Sequence, residues 1–347
     1  MSQNKKVAII SDLHLGVHLN SPAWHDISLE WAKWLVNELT EKDITQIIFC
    51  GDFFHSRSEI TVNTLHHAST ILSIFKNFNI TMITGNHDSF YKNDSRVNSI
   101  SILDGRPNIT ILDKPTLKQI HGKEVFFAPW GTGLNDLQSC DIMFGHFEIE
   151  SFKMNTFKVC DEGFKSADLF KYAPFVVSGH FHLREERVYE KGTILYVGSP
   201  FELDFGDTGS TKGYYIMDFN NLKYEFFPNT ISPQHIKVSL SDLIKLKDFK
   251  SEAKKLFSNN IVKLSIDKTI DSSDLEKITT KINTVTPLSL VVDHIATFDQ
   301  LGKACQSEVD LSGVDIGQAI SDFVNLLDIQ NKKEVIEYTV SLYNSCK

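Results

Sequence analysis

"TQIIFCGDFFHSR", residues 45–57, begins as a continuous apolar run and ends as a polar loop. An apolar run without alternation is what a strand buried on both faces of an α/β sheet carries. Gly51-Asp52 turns the chain at the strand end, where glycine lets the backbone approach a ligand closely. His55 stands three residues after Asp52. A carboxylate and an imidazole side by side at a strand end raise the question of a metal.

Other stretches repeat the arrangement. "KVAII" (6–10), "ITMIT" (80–84), "EVFFAP" (124–129), "CDIMFG" (140–145), "PFVVSG" (174–179), "TILYVG" (193–198) and "GYYIMDF" (213–219) are apolar runs of strand type. Five strand-like runs end in metal-capable groups: Asp12 and His14; Asp52 and His55; Asn86, His87 and Asp88; His146; His180 and His182. Loops at the carboxyl ends of strands share one edge of an α/β sheet, where ligands collect. D-x-H and H-x-H spacing puts two donors on one side of an extended segment. Alone, each motif is usually a turn or a surface pair. Six of the 13 histidines lie in these loops, and that concentration overturns the bland reading. Carboxylate, imidazole and amide without thiolate suit Mn, Fe or Zn rather than a structural zinc site. A carboxylate bridging two cations builds a clamp for in-line displacement at phosphorus.

The rest of the chain sets bounds. Its 347 residues allow one large core or two domains. The net charge of −9 argues against a broadly basic nucleic-acid coat, though bound cations would alter the local field. Cys50, Cys140, Cys160, Cys305 and Cys346 are odd in number and unpaired in spacing, as in a reduced, cytoplasmic protein. The apolar run at the N-terminus is too short for a signal peptide or a membrane span.

Helical spacing places Ile27, Trp31, Trp34, Leu35 and Leu39 on one face of residues 26–40, and Leu65, Ala68, Ile71, Leu72, Phe75 and Phe78 on one face of 60–78. "FFPNTISPQ" (226–234) reads as a linker. Beyond it come strand 236–240, helix 241–257, strand 261–267, helix 272–283 and strand 288–295. Two helical patterns follow, one with Ile316, Ile320, Phe323, Val324 and Leu327, the other with Val335, Ile336, Val340 and Tyr343. The expected domains are 1–228, 229–300 and 301–347.

The ordered set D-x-H, G-D, G-N-H-D, G-H, G-H-x-H over residues 12–182 resembles the calcineurin-like metallophosphoesterase superfamily. Within it, "DLHLG", "GDFFH", "GNHD", "GSPFE" (198–202) and "KGYYIMDF" are similar to the SbcD-type DNA nuclease subunits that work with an SMC-like coiled-coil ATPase. In size and divergence the chain resembles the T-even-type bacteriophage branch. The resemblance implies an α/β fold of two facing mixed β-sheets flanked by helices, then a smaller α/β capping domain and C-terminal helices. It implies two divalent metal ions, with Mn preferred and Mg, Fe or Zn possible. Asp12, His14, Asp52 and His182 would hold one; Asp52, Asn86, His146 and His180 would hold the other. His87 would protonate the departing sugar oxygen, His55 would contact the scissile phosphate, and Asp88 is counted with them as catalytic.

The implied activity is a 3′-to-5′ exonuclease and single-strand endonuclease, with DNA and the SMC-like ATPase as partners. It would act in recombination, repair and recombination-dependent replication, in the host cytoplasm if phage-encoded. The competing reading is a metallophosphatase for phosphoproteins or small phosphomonoesters. Protein phosphatases of the superfamily look like G-D-x-x-D-R-G and G-N-H-E; this chain has "GDFFHSR" and "GNHD". Arg57, Lys92, Arg96, Arg184 and Arg187 are candidate phosphate contacts or plain surface charges. The 60–78 helix either pairs with its copy in a homodimer or packs on the sheet. The last helices are expected to dock on the ATPase.

Overall fold

The computed structural model describes residues 4–294 except 93 and 247, residue 321, residues 324–325 and residues 331–345. The chain divides into a compact unit, Met1–Asp293, and a second, His294–Lys347.

Two six-stranded mixed sheets make up most of the first unit. The first contains β1 (Lys6–Ile10), β2 (Gln46–Phe49), β3 (Asn79–Ile83), β6 (Ile109–Leu112), β13 (Gly213–Asp218) and β14 (Lys223–Pro228), in the order β14-β13-β1-β2-β3-β6. A short hairpin, β4 (Ser89–Tyr91) and β5 (Asp94–Asn98), follows β3. The second sheet contains β7 (Thr116–Ile120), β8 (Lys123–Ala128), β9 (Ile142–His146), β10 (Phe175–Gly179), β11 (Glu185–Tyr189) and β12 (Gly192–Tyr196), in the order β11-β12-β10-β9-β8-β7. Central neighbours are parallel in both sheets: β1-β2-β3-β6 in one, β8-β9-β10-β12 in the other.

Side-chain alternation explains how the layers stack. Val7, Ile9, Ile48 and Cys50 share a core with Val125, Phe127, Phe144 and Val177 of the facing sheet. Their sequence neighbours Ala8, Ile10, Ile47 and Phe49 share another with helices α1 (Pro22–Glu41) and α2 (Val62–Ile74). Phe126, Met143, Val176 and Tyr196 pack on the outer face of the second sheet with Phe152 and Leu169. Strands covered on both faces carry apolar residues at every position, which is why the runs are continuous.

In α2, Thr61 caps the N-terminus by accepting from the Thr64 N–H. Ala68, Ile71 and Leu72, with Phe75 and Phe78 beyond, are buried against the sheet side of the core. Leu65 departs from the expected face and is 37% exposed, and Val62 is 84% exposed.

A three-stranded sheet, β15 (His235–Ser239), β16 (Ile261–Ile266) and β17 (Ser289–His294), lies after residue 228. It has its own core of Leu240, Phe257, Val262, Leu264 and Ile282. It belongs to the first compact unit, so the expected division after residue 228 falls inside that unit. The expected helix over 241–257 is two helices, α3 (Leu240–Ile244) and α4 (Phe249–Phe257). Asp248 accepts from the Ser251 N–H and starts a new helix there. α5 (Ser272–Asn283) is capped by Asp271.

In the second unit, α6 (Lys332–Ser345) carries the Val335, Ile336, Val340 and Tyr343 pattern. Of the preceding pattern, Val324 is described and buried; Ile316, Ile320, Phe323 and Leu327 lie outside the described residues. Among the described residues no helix is long and apolar enough to cross a membrane.

Candidate metal centre

Loops from both sheets meet at one edge. Backbone bonds from Asp12 N to Gly51 O (3.0 Å), His14 N to Asp52 O (3.1 Å) and Leu15 N to Phe53 O (2.9 Å) continue the β1–β2 pairing past the strand ends. The second sheet is tied in by His180 N donating to Asp12 Oδ1 at 3.0 Å. Asp12, His14, Asp52 and His180 have φ of 55°, 48°, 61° and 90°. Left-handed backbone at four non-glycine residues stores strain on the order of 1–3 kcal/mol each, a concentration typical of functional sites. Close approach also requires glycine here. A Cβ on Gly85 would collide with Asp52 Oδ1, and one on Gly51 with His146 Nδ1 and the Gly85 backbone.

The donors form two groups. The ligand atoms of Asp12, His14 and His182 lie within 4.8 Å of one another, as do those of Asp52, His146 and His180. Asp52 Oδ2 stands between the groups, 3.4 Å from His14 Nε2 and 3.4 Å from His146 Nε2. Asn86 Oδ1 is 2.9 Å from His146 Nε2 and 2.8 Å from His180 Nδ1. His182 Nε2 is 3.0 Å from His14 Nε2. The structure thus brings together all seven residues expected to hold metal.

These residues fit divalent cations. Asp12 Oδ2 is buried without a hydrogen-bond partner, a costly state for a carboxylate oxygen unless a cation meets it. The set offers oxygen and imidazole nitrogen but no thiolate, the preference of Mn, Fe, Zn and Mg rather than of a structural site. His146 Nδ1 donates to the Cys50 carbonyl at 2.7 Å. That bond leaves Nε2 facing Asp52, the tautomer control usual for a metal-ligating histidine.

Electrostatics separates the donors. Burial favours a neutral Asp52, but His146, by charge and hydrogen bond, and then His14 outweigh it and hold the carboxyl well below its usual range. Burial opposes charge on His146, yet Asp52 and Asp12 push its pKa up to about 9. Burial drives His14 down strongly and His182 to about 4. It pushes Asp12 up to about 7, assisted by Asp52.

Three further residues were expected to be catalytic. His55 and His87 stack with ring centroids 5.3 Å apart. His87 Nδ1 donates to the His55 carbonyl at 2.6 Å, and His55 Nδ1 is 3.3 Å from His14 Nδ1. Ring nitrogens of His14, His55 and His87 all lie within 4.8 Å of one another. Asp88 differs in kind. It is fully buried, and its oxygens accept from the N–H groups of Asp52, Phe53, Phe54 and Gly85. Its carboxylate shapes the two loops that carry Asp52 and Asn86.

The sequence did not point to three neighbours. Glu148 Oε1 is 3.3 Å from His180 Nε2, and its place two residues after His146 was the available signal. Trp130 lies 5.2 Å from the His180 ring. Lys212 is buried, pairs with Asp207 at 2.9 Å and donates to the His182 carbonyl at 2.6 Å. Of the candidate phosphate contacts, Arg184 lies over the Phe226 ring and Arg187 over Phe152. Arg96 pairs with Asp94 at the exposed surface. The Lys92 charge contributes, after the hydrogen bond and charge of His180, to holding the Glu148 carboxyl below its usual range.

Facing mixed sheets with two donor groups sharing an aspartate define a metal-dependent hydrolase of phosphate esters. Residues 6–221 match the calcineurin-like phosphoesterase superfamily domain, and the chain belongs to that superfamily. It is 27% identical over 359 residues to exonuclease subunit 1 of Enterobacteria phage T4, covering 97% of this chain and 98% of that one. Among solved structures, an archaeal phosphodiesterase is 16% identical, with a TM-score of 0.37 over 65% of this chain and 99% of that one. A dimetal phosphatase from Danio rerio is 8% identical, with a TM-score of 0.38 over 61% of this chain and 92% of that one.

Proposed function

We propose that the chain is the nuclease subunit of a two-component enzyme that processes DNA ends. The observation that carries this is the reach of its similarity to exonuclease subunit 1. It spans 97% of the chain, cap and C-terminal segment included, and not only the phosphoesterase domain. The imidazole of His55, three residues from Asp52, supports a diester substrate over a monoester, for which a bidentate arginine is the better partner.

Asp12, His14, Asp52 and His182 would hold one divalent cation, and Asp52, Asn86, His146 and His180 the other, with manganese preferred. When bound, the cations supply water activation and neutralise phosphate charge. His87 donates its Nδ1–H to the His55 carbonyl, which leaves Nε2 as the free nitrogen; as an imidazolium it gives the Nε2 proton to the departing sugar oxygen. His55 steadies charge on the scissile phosphate. Asp88 acts as a positioning residue through the four N–H groups it accepts.

The activity is a 3′-to-5′ exonuclease and single-strand endonuclease, serving recombination, repair and recombination-dependent replication in the host cytoplasm. The partner is an SMC-like coiled-coil ATPase that docks on residues 301–347. Val62 and Leu65 on α2 leave an apolar strip for a homodimer. An acidic chain with few free cations at its site borrows DNA affinity from the partner.

The test is a manganese-dependent cleavage assay on single- and double-stranded DNA, with and without the ATPase, run beside a chromogenic monoester and its diester. DNA and diester cleavage are expected. Fast monoester turnover with no diester turnover would assign a phosphatase instead. Deletion of residues 305–347 should abolish ATPase binding while leaving diester turnover intact.

A further inference from the structure

We infer that the cleft beside His146 and His180 seats a nucleobase, with Trp130 as its stacking platform. The base belongs to the nucleotide whose phosphate lies at the metal centre. This rests on the nuclease reading above.

The cleft has a volume of about 600 Å³ and is lined by Pro129, Trp130, Leu134, His146, Glu148 and Phe164, among others. Such a volume suits a small organic ligand and has room for a base with its sugar. His146 is a wall of both the cleft and the metal centre, so a ligand there can reach from one to the other. The larger part of the walls is apolar or aromatic, and Glu148, Thr132, Lys165 and Asp168 add polar groups. A flat, apolar-faced body with a polar edge, joined to a phosphate, matches that lining. A phosphoserine or phosphothreonine side chain brings no such body.

Trp130 is held for this task. Its backbone N–H donates to the Thr84 carbonyl at 2.9 Å, and its indole N–H to the Lys92 carbonyl at 2.7 Å. Both anchors flank the loop that carries Asn86, so the ring is fixed relative to that candidate ligand. With the indole N–H engaged, only the ring faces and apolar edges are left to meet a ligand. The His180 ring lies 5.2 Å away, tilted by 34°, and His146 6.1 Å away, nearly edge-on. Trp130 remains half-buried, at the wall of an open cleft. Stacking is tolerant of base identity because every base has an aromatic face. The site therefore senses that a base is present rather than which base it is.

The experiment uses the full chain. Calorimetry compares dAMP with 2-deoxyribose 5-phosphate, with and without added manganese. Cleavage of single-stranded DNA is compared between an ordinary and an abasic 3′-terminal nucleotide. Wild type should bind dAMP at least about tenfold more tightly than the sugar phosphate, the scale of one stacked base, and should cut the ordinary end faster. Trp130→Ala should bring both ratios close to one, and Trp130→Phe should restore much of each. Leu134→Trp, at a position 38% exposed, should lower both by filling the cleft while leaving the Trp130 anchors in place. Equal wild-type binding of the two ligands, or ratios unmoved by Trp130→Ala and Leu134→Trp, overturns the inference. Cleavage of DNA with no discrimination against the abasic end removes the base site alone. No cleavage of DNA with any of Mn, Mg, Fe or Zn removes the nuclease reading and the base site with it.

Discussion

The two sides of Asp52 are built differently. On one side His14 has three imidazole neighbours, with ring centroids at 5.4 Å (His55), 4.7 Å (His87) and 4.8 Å (His182). On the other, His146 and His180 are 5.2 Å apart, and His146 borders an open cleft with Trp130 and Glu148. The charge balance differs with the packing. Burial and neighbouring imidazoles push His14 and His55 down; across Asp52 burial also lowers His180, and His146 alone, where Asp52 and Asp12 outweigh burial, is pushed up to about 9. One side gathers imidazoles, His55 and His87, beyond those expected to hold a cation. The other leaves space for a substrate. Asp52 thus stands between an imidazole-rich half and a half that borders an open cleft.

That division can be broken in four ways, from the largest effect downward. Asp52→Asn removes the group common to both halves. It should abolish diester turnover and lower bound metal by elemental analysis; retention of both metals would refute the bridging role. His87→Ala should cost about 10²–10⁴-fold in turnover, the scale of a general acid, with metal content unchanged. Lost metal would make His87 a ligand instead. His55→Ala should cost on the order of 10²–10³-fold, as removal of one charge-stabilising donor does, again with metal retained. A normal rate would remove the internal reason for choosing a diester over a monoester. Glu148→Gln acts on the other half, through His180. It should weaken metal binding by about 10-fold to 100-fold, as loss of an outer partner does, and high metal concentration should restore most of the rate. A defect that excess metal does not correct would place Glu148 on the substrate.

Much of this was legible in the chain. The eight continuous apolar runs coincide with β1, β2, β3, β8, β9, β10, β12 and β13, because strands covered on both faces leave no polar position to blur the signal. The edge strands β7, "TLKQI", and β11, "EERVY", were not legible. They are partly exposed, so their composition matches that of loops. The α3–α4 break hid in one amphipathic pattern because Asp248 gives helix interior and helix cap the same polar residue.

The sequence by itself determined which candidate donors stand at strand ends and in what order, from Asp12 through Asp52 and Asn86 to His180 and His182. Short strand-to-loop motifs keep their ligands within a few residues of a strand end, and the apolar runs announce those ends. Only the tertiary structure decided which donors share a side of Asp52, that Asp88 holds backbone N–H groups, and that Trp130 and Glu148 border the cleft beside His146. Among those relations are contacts between residues far apart in the chain, 35 positions for Asp88 with Phe53 and 168 for His180 with Asp12. Local pattern carries no record of such contacts; they arise when the buried faces of the two sheets pack and bring their loops to one edge.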